Sequence, residues 1–150
     1  VRRIDLLRQS VRAVREASPF QIDAWVVLPD HMHCVWTLPQ GDADFARRWR
    51  LIKLLVSKGV GTNEDNWRAS HRPGERGIWQ RRYWEHMLRD PKDFAAHVDY
   101  VHINPVKHGL ARRVSDWPFS SFHRYVATGK LSENWAGATE IPGGVAGERS

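Results

Sequence analysis

His31 and His33 stand one residue apart in the run VVLPDHMHCVWTLP. Side chains on an extended backbone alternate between faces, so the two imidazoles project to the same side. Val26, Val27, Cys34, Val35 and Trp36 around them are strand formers, and Leu28-Pro29-Asp30 breaks the run before the first histidine. A strand that presents paired ring nitrogens can hold a divalent metal where a phosphate or carbonyl must be polarised. The plainer reading of such a pair is a surface or hydrogen-bonded one. What lies downstream decides between them.

A second set of polar groups lies further along. Asp90-Pro91 reads as a helix start, with Asp90 as N-cap, Pro91 at the first helical position and Asp93 adding negative charge in the first turn. Phe94, Val98 and Val101 make its apolar face, and Pro105 predicts its end at Asn104. Successive helical residues turn by about one hundred degrees. Tyr100 and Asn104 therefore share a face one turn apart, with His97 between them and the apolar stripe alongside. A helix so packed on a sheet could aim Tyr100 and Asn104 at the edge where His31 and His33 emerge. A phenol, an amide oxygen and two imidazoles make sense together as a nucleophile beside a metal cage. Taken singly, Tyr100 reads as a boundary ring with its hydroxyl in water, and Asn104 as a helix C-cap before proline.

The elements that must position these groups follow from periodicity. Ile4, Leu7, Val11 and Val14 predict an amphipathic helix over 3–17, ended by Ser18-Pro19. Residues 21–28 and 31–38 read as antiparallel strands joined at Pro29-Asp30. Asp42 is a candidate cap for a helix reaching about Lys58, with Phe45, Trp49, Ile52, Leu55 and Val56 as its apolar stripe and Arg47, Arg48, Arg50 and Lys53 mostly off it. Residues 59–77 read as a long loop, and 78–89 as a strand or short helix. A second short helix or turn is expected around Val106–Arg113, then Trp117-Pro118 and a packing segment, SSFHRYV. One domain over 1–126 and a loosely attached tail over 127–150 complete the expected organisation.

Composition narrows the partner. Twenty-three basic against 17 acidic residues give a formal charge of +6 and a pI near 10.0 over 150 residues. That balance favours a polyanion. Eight tryptophans, several beside arginine as in Trp79-Gln80-Arg81-Arg82, suit stacking on unpaired bases, or else a core with arginine stems lying over it. Trp79 and Trp84 read first as core. The single cysteine, Cys34, excludes a disulfide framework and a thiolate zinc site, and as a nucleophile it has apolar neighbours against it. Neither a signal-peptide pattern nor a membrane-spanning run is present, which predicts a soluble, cytoplasmic chain.

Taken together, VVLPDHMHCVWTLP and GIWQRRYWEHMLRDPKDFAAHVDYVHINPVKHGLARRVSDWPFSSFHRYV closely resemble the REP-associated tyrosine transposases of the HUH single-tyrosine superfamily. The resemblance covers roughly residues 21–126. It implies an α+β fold, a ferredoxin-like or RRM-like antiparallel sheet with helices packed on it. It implies Mg²⁺ or Mn²⁺ on His31 and His33, completed by Asn104, with Tyr100 of YVHINPV as nucleophile. The implied substrate is single-stranded DNA folded into hairpins, usually repetitive extragenic palindromes (REP), handled by a monomer, with related transposases acting as dimers. The implied reaction is nicking and strand transfer through a 5′-phosphotyrosine.

Arg81, Arg82, Arg112 and Arg113, with Lys107 behind them, are the expected contacts to backbone phosphates. His97 and Lys107 are candidates to activate the phenol, without a matched family role. Two departures stand out. The family's usual strand before the first helix has no counterpart here, which predicts an unpaired backbone edge beside the histidine strand. Asp30 stands where Asn is usual, and either brings a carboxylate to the metal or serves the turn. Two other readings remain: a non-catalytic module of the same fold that binds hairpin DNA or RNA, and a hydrolase that uses His31 and His33 with water.

Overall fold

A computed structural model describes residues 3–60, 85 and 87–137. They fall into two compact units, one of Gln21–Thr37 with the chain from Glu85 onward, the other of Arg2–Phe20 with Leu38–Trp84. Arg81, Arg82, Trp79, Trp84, most of the expected 59–77 loop and most of the 78–89 segment lie outside the described residues.

The first unit is built on an antiparallel hairpin, β1 (Gln21–Val27) and β2 (Met32–Thr37). Pro29-Asp30 makes the reversal, closed by the Leu28 amide donating to the His31 carbonyl at 2.8 Å. Val26 pairs with His33 and Ala24 with Val35, so the histidine side of β2 is also the core side of the sheet. Against it lies α3 (Pro91–Lys107), whose Val98 and Val101 pack with Ala24, Val26, Leu28 and Val35. Asp90 caps α3 as expected, its carboxylate accepting from the Asp93 amide at 2.8 Å.

The outer edge of β1 is closed by the segment leading into α4 (Phe122–Ala127). Val27 N donates to Phe119 O, Ser121 N donates to Trp25 O, and the Trp117 indole donates to Val27 O at 3.0 Å. The N–H and C=O groups of both Trp25 and Val27 thus find partners away from β2. A short 3-10 turn (Val114–Asp116) joins this segment to α3, and Ile103, Val114 and Phe122 form a second apolar cluster. Beyond Ala127 the described chain is still packed, since Leu131 and Trp135 lie against that cluster.

The helix α3 does not stop at Asn104. It runs through Pro105 to Lys107 and ends at Gly109, whose φ of 70° is the left-handed conformation that glycine tolerates best. Leu110 N donates to Pro105 O and Gly109 N to Val106 O, the paired bonds of a Schellman stop. Pro105 loses only its own bond to Val101, and burial of Ile103, Asn104 and Pro105 holds the turn in place. The short helix or turn expected around Val106–Arg113 is therefore the end of α3 followed by a turn.

The second unit pairs α1 (Ile4–Ala17) with α2 (Phe45–Val60). Leu7, Val11 and Val14 are buried, as their spacing predicts. Two expectations fail at α2. Its cap is Asp44, which accepts from Arg47 N, while Asp42 turns instead to Arg48. The buried stripe is Arg48, Ile52, Val56 and Val60, with Leu55 exposed. A charged residue counted as surface is in fact the first member of the stripe.

Candidate active site

The hairpin and α3 place the predicted residues inside the first unit and bring His31, His33 and Tyr100 together. The His31 and His33 ring centroids lie 5.0 Å apart, edge to face, on the core side of β2. Tyr100 presents its ring to His33 with centroids 5.5 Å apart. It is 6% exposed, so the phenol sits in a water-poor pocket and not at an open boundary. Asn104 is fully buried one turn further along α3, and its Oδ1 and His33 Nε2 are both shielded from solvent.

Asp30 settles into a supporting position. Its Oδ1 is 2.6 Å from His31 Nδ1, and that hydrogen bond holds the carboxyl below its ordinary range. A carboxylate on one ring nitrogen fixes the imidazole's orientation and leaves the other, Nε2, for a ligand. The turn residue of the sequence reading is thus also the residue that orients the His31 ring.

The two candidates for activating the phenol part ways. His97 is turned back into its own helix, with Nδ1 2.8 Å from Asp93 O and 3.1 Å from Asp93 Oδ1. Lys107 donates from Nζ to Tyr100 Oη at 3.1 Å and lies 4.7 Å from the ring centroid. Arg113 is engaged by Asp116, which takes Nη2 on Oδ1 at 3.2 Å. Cys34 is removed from nucleophilic chemistry, because burial pushes its thiol up to about 12.

Two groups were missed. His108 stacks edge-on against His31 at 5.2 Å and adds a third ring to the cluster. It was hidden by the expectation that α3 ends at Asn104. His102, on the far side of α3, is fully buried, with Nε2 2.8 Å from Ser121 Oγ, and that hydroxyl also accepts from Trp25 N. Burial, aided by the positive charge of Arg124, pushes His102 down to about 4. Its Nδ1 has no hydrogen-bond partner among the described residues, so a charged ring would carry an unmatched donor.

Among the described residues no three His, Cys, Asp or Glu side chains assemble as a metal centre. His31 and His33 bring two imidazoles together, and the Asn104 amide oxygen is buried on the facing helix. Nitrogen and neutral oxygen donors suit a Mg²⁺ or Mn²⁺ ion that keeps open positions for phosphate oxygens. The residues fit such an ion.

No protein-family model matches the chain. A curated REP-associated tyrosine transposase of Escherichia coli (strain K12) is 50% identical over 144 residues, spanning 96% of this chain and 78% of that protein. This chain belongs to the REP-associated tyrosine transposase family. A relative in Haemophilus influenzae, given the same family designation provisionally, is 39% identical over 145 residues and is covered over 79% of its length. A solved REP-associated tyrosine transposase, bound to a REP hairpin, superposes with a TM-score of 0.83 at 47% identity. That match covers 100% of this chain and 82% of the solved one. The α+β fold expected for a tyrosine transposase, an antiparallel sheet with helices against it, is therefore the fold of this one. No helix among the described residues is long and apolar enough to cross a membrane.

Proposed function

We propose that this transposase nicks and rejoins single-stranded DNA at REP-type hairpins, with Tyr100 forming a 5′-phosphotyrosine and Mg²⁺ or Mn²⁺ held by His31, His33 and Asn104. The observation that carries the reading is the Tyr100 ring packed 5.5 Å from His33, a nucleophile on one element meeting an imidazole pair on another. Bound metal supplies charge for the nonbridging phosphate oxygens in the transition state. The chain's own residues do the remainder. Burial of Tyr100 excludes competing water from the phosphorus, and Asp30 keeps the His31 ring oriented. Attack by Tyr100 Oη forms the O–P bond as the bond to the 3′-oxygen breaks. The ester retains the bond energy, so a 3′-hydroxyl can reverse the step without ATP.

Arg112 and Arg113 follow directly on α3 and, with Arg81 and Arg82, are assigned to the DNA backbone. The hairpin partner is supported by the solved relative bound to a REP hairpin. The expected assembly is a monomer, with the cytoplasm as the place where chromosomal DNA is met. The test is incubation with end-labelled hairpin DNA and Mn²⁺, followed by denaturing electrophoresis. Wild type is expected to form a covalent adduct, and Tyr100→Phe to lose it by at least about 1000-fold. Cleavage that survives Tyr100→Phe overturns the reading in favour of a water nucleophile. Tight hairpin binding with no adduct overturns it in favour of a binding module.

A further inference from the structure

We propose that Lys107 is a catalytic residue of the strand-transfer step: its ammonium stabilises the negative charge that gathers on Tyr100 Oη. This rests on the phosphotyrosine reading above and adds a group to it. Three observations carry it. Lys107 Nζ donates to the phenol oxygen itself at 3.1 Å, the atom that makes and breaks the bond to phosphorus. The same ammonium lies 4.7 Å from the ring centroid, so the stem folds over the tyrosine and does not extend away from it. Tyr100 is buried, and a charge-assisted hydrogen bond is stronger where water is scarce.

The placement is a consequence of how α3 ends. Seven residues are nearly two full turns, so Tyr100 and Lys107 share a face only if the helix passes Pro105. It does, and the Schellman stop at Gly109 secures the last turn on which Lys107 rides. His97, the other candidate on that helix, is held by Asp93. The electrostatic role is therefore filled by the lysine.

In the forward step the Oη–P bond forms and the P–O3′ bond breaks. The phenol proton passes to solvent, and the departing 3′-oxygen takes up a proton from solvent. In the reverse step a 3′-hydroxyl attacks phosphorus and the phenolate leaves. Lys107 faces the same oxygen in both directions, as nucleophile and as leaving group. One donor therefore accelerates cutting and rejoining alike.

The test uses the full chain with hairpin DNA and Mn²⁺, comparing wild type, Lys107→Met and Lys107→Arg. Single-turnover adduct formation is measured at saturating DNA, hairpin affinity by fluorescence anisotropy, and rejoining by adding a 3′-hydroxyl strand to isolated adduct. Expected for Lys107→Met is a loss of about 100-fold in both rates with affinity changed less than about twofold. Lys107→Arg, which keeps the donor and the charge, should recover most of that loss. A Lys107→Met protein that cuts at the wild-type rate once DNA is saturating, and only binds more weakly, overturns the proposal and leaves a phosphate contact. Equal loss in Lys107→Arg and Lys107→Met, with melting temperatures unchanged, also overturns it. If wild type forms no Tyr100-dependent adduct at all, the underlying phosphotyrosine reading fails first, which is a different result from either.

Discussion

Arg48 in the α1/α2 unit and the polar groups of the hairpin unit are buried under opposite rules. Arg48 is 4% exposed, and its guanidinium is closed from all sides. Asp42 takes Nη1 and Nη2 at 3.1 and 2.7 Å, while the carbonyls of Ser18, Pro19 and Asp44 accept the remaining donors. Nothing of that cation is left to offer a ligand. In the hairpin unit Tyr100 and Asn104 are buried on α3, while the half-buried His31 and His33 meet ring to ring and Tyr100 packs on His33 from the facing element. Saturated polar burial ties a chain together. Convergent polar burial makes a place for chemistry.

The sharpest way to break this contrast is to remove the saturated cation. Arg48→Met leaves Asp42 and three carbonyls without their donor, and the melting temperature should fall on the order of 10 °C. A melt within about 2 °C of wild type would show that Arg48 is not the tie described. The pair also has a pH signature. The hydrogen bond from Arg48 holds Asp42 down to about 2, below its unfolded range. Its contribution is therefore complete above about pH 4, is lost as pH falls through 2, and should be missing from Arg48→Met.

His102 gives the hairpin unit a different acid window. Its folded value of about 4 lies below the ordinary 6.5, so the unfolded chain binds the proton more readily. Stability should be full above pH 6.5 and decline as pH falls to about 4, by roughly 3 kcal/mol. His102→Gln, which keeps a partner for Ser121, should flatten the melting-temperature profile across that window alone. A profile unchanged by the substitution would locate the acid sensitivity elsewhere.

Metal tests the convergent half of the comparison directly. Mn²⁺ at about one hundred times its Kd should stabilise wild type by about 2.7 kcal/mol. His33→Ala should lose that gain while melting normally without metal, since an open site contributes little to the apo fold. Equal stabilisation of both proteins would remove His33 from the ligand set. The smallest effect is expected at Gly109→Ala, where a φ of 70° costs a side chain about 1 kcal/mol and loosens the last turn of α3. Adduct formation should slow with it, because Lys107 sits in that turn.

The hairpin, the start of α3 and the meeting of His31, His33 and Tyr100 were legible because each rests on a local rule. Alternation set the imidazoles on one side, Asp90-Pro91 marked a helix start, and helical angle joined Tyr100 to Asn104. What stayed hidden depended on contacts distant in sequence. Pro105 reads as a stop until the chain beyond it is seen donating back to the last carbonyls. Arg48 reads as surface until Ser18, Pro19 and Asp42 are found around it. His108 was concealed by the unexpected length of α3, which also carries Lys107, already a candidate, onto the phenol.

Tyr100, Asn104 and Lys107 ride on a single rod, whereas His31 and His33 belong to the hairpin it rests on. The grip of Val98 and Val101 on Ala24, Val26, Leu28 and Val35 thus clasps the two halves of the apparatus together. Loosening it would carry nucleophile, amide and ammonium away from the imidazoles in one movement.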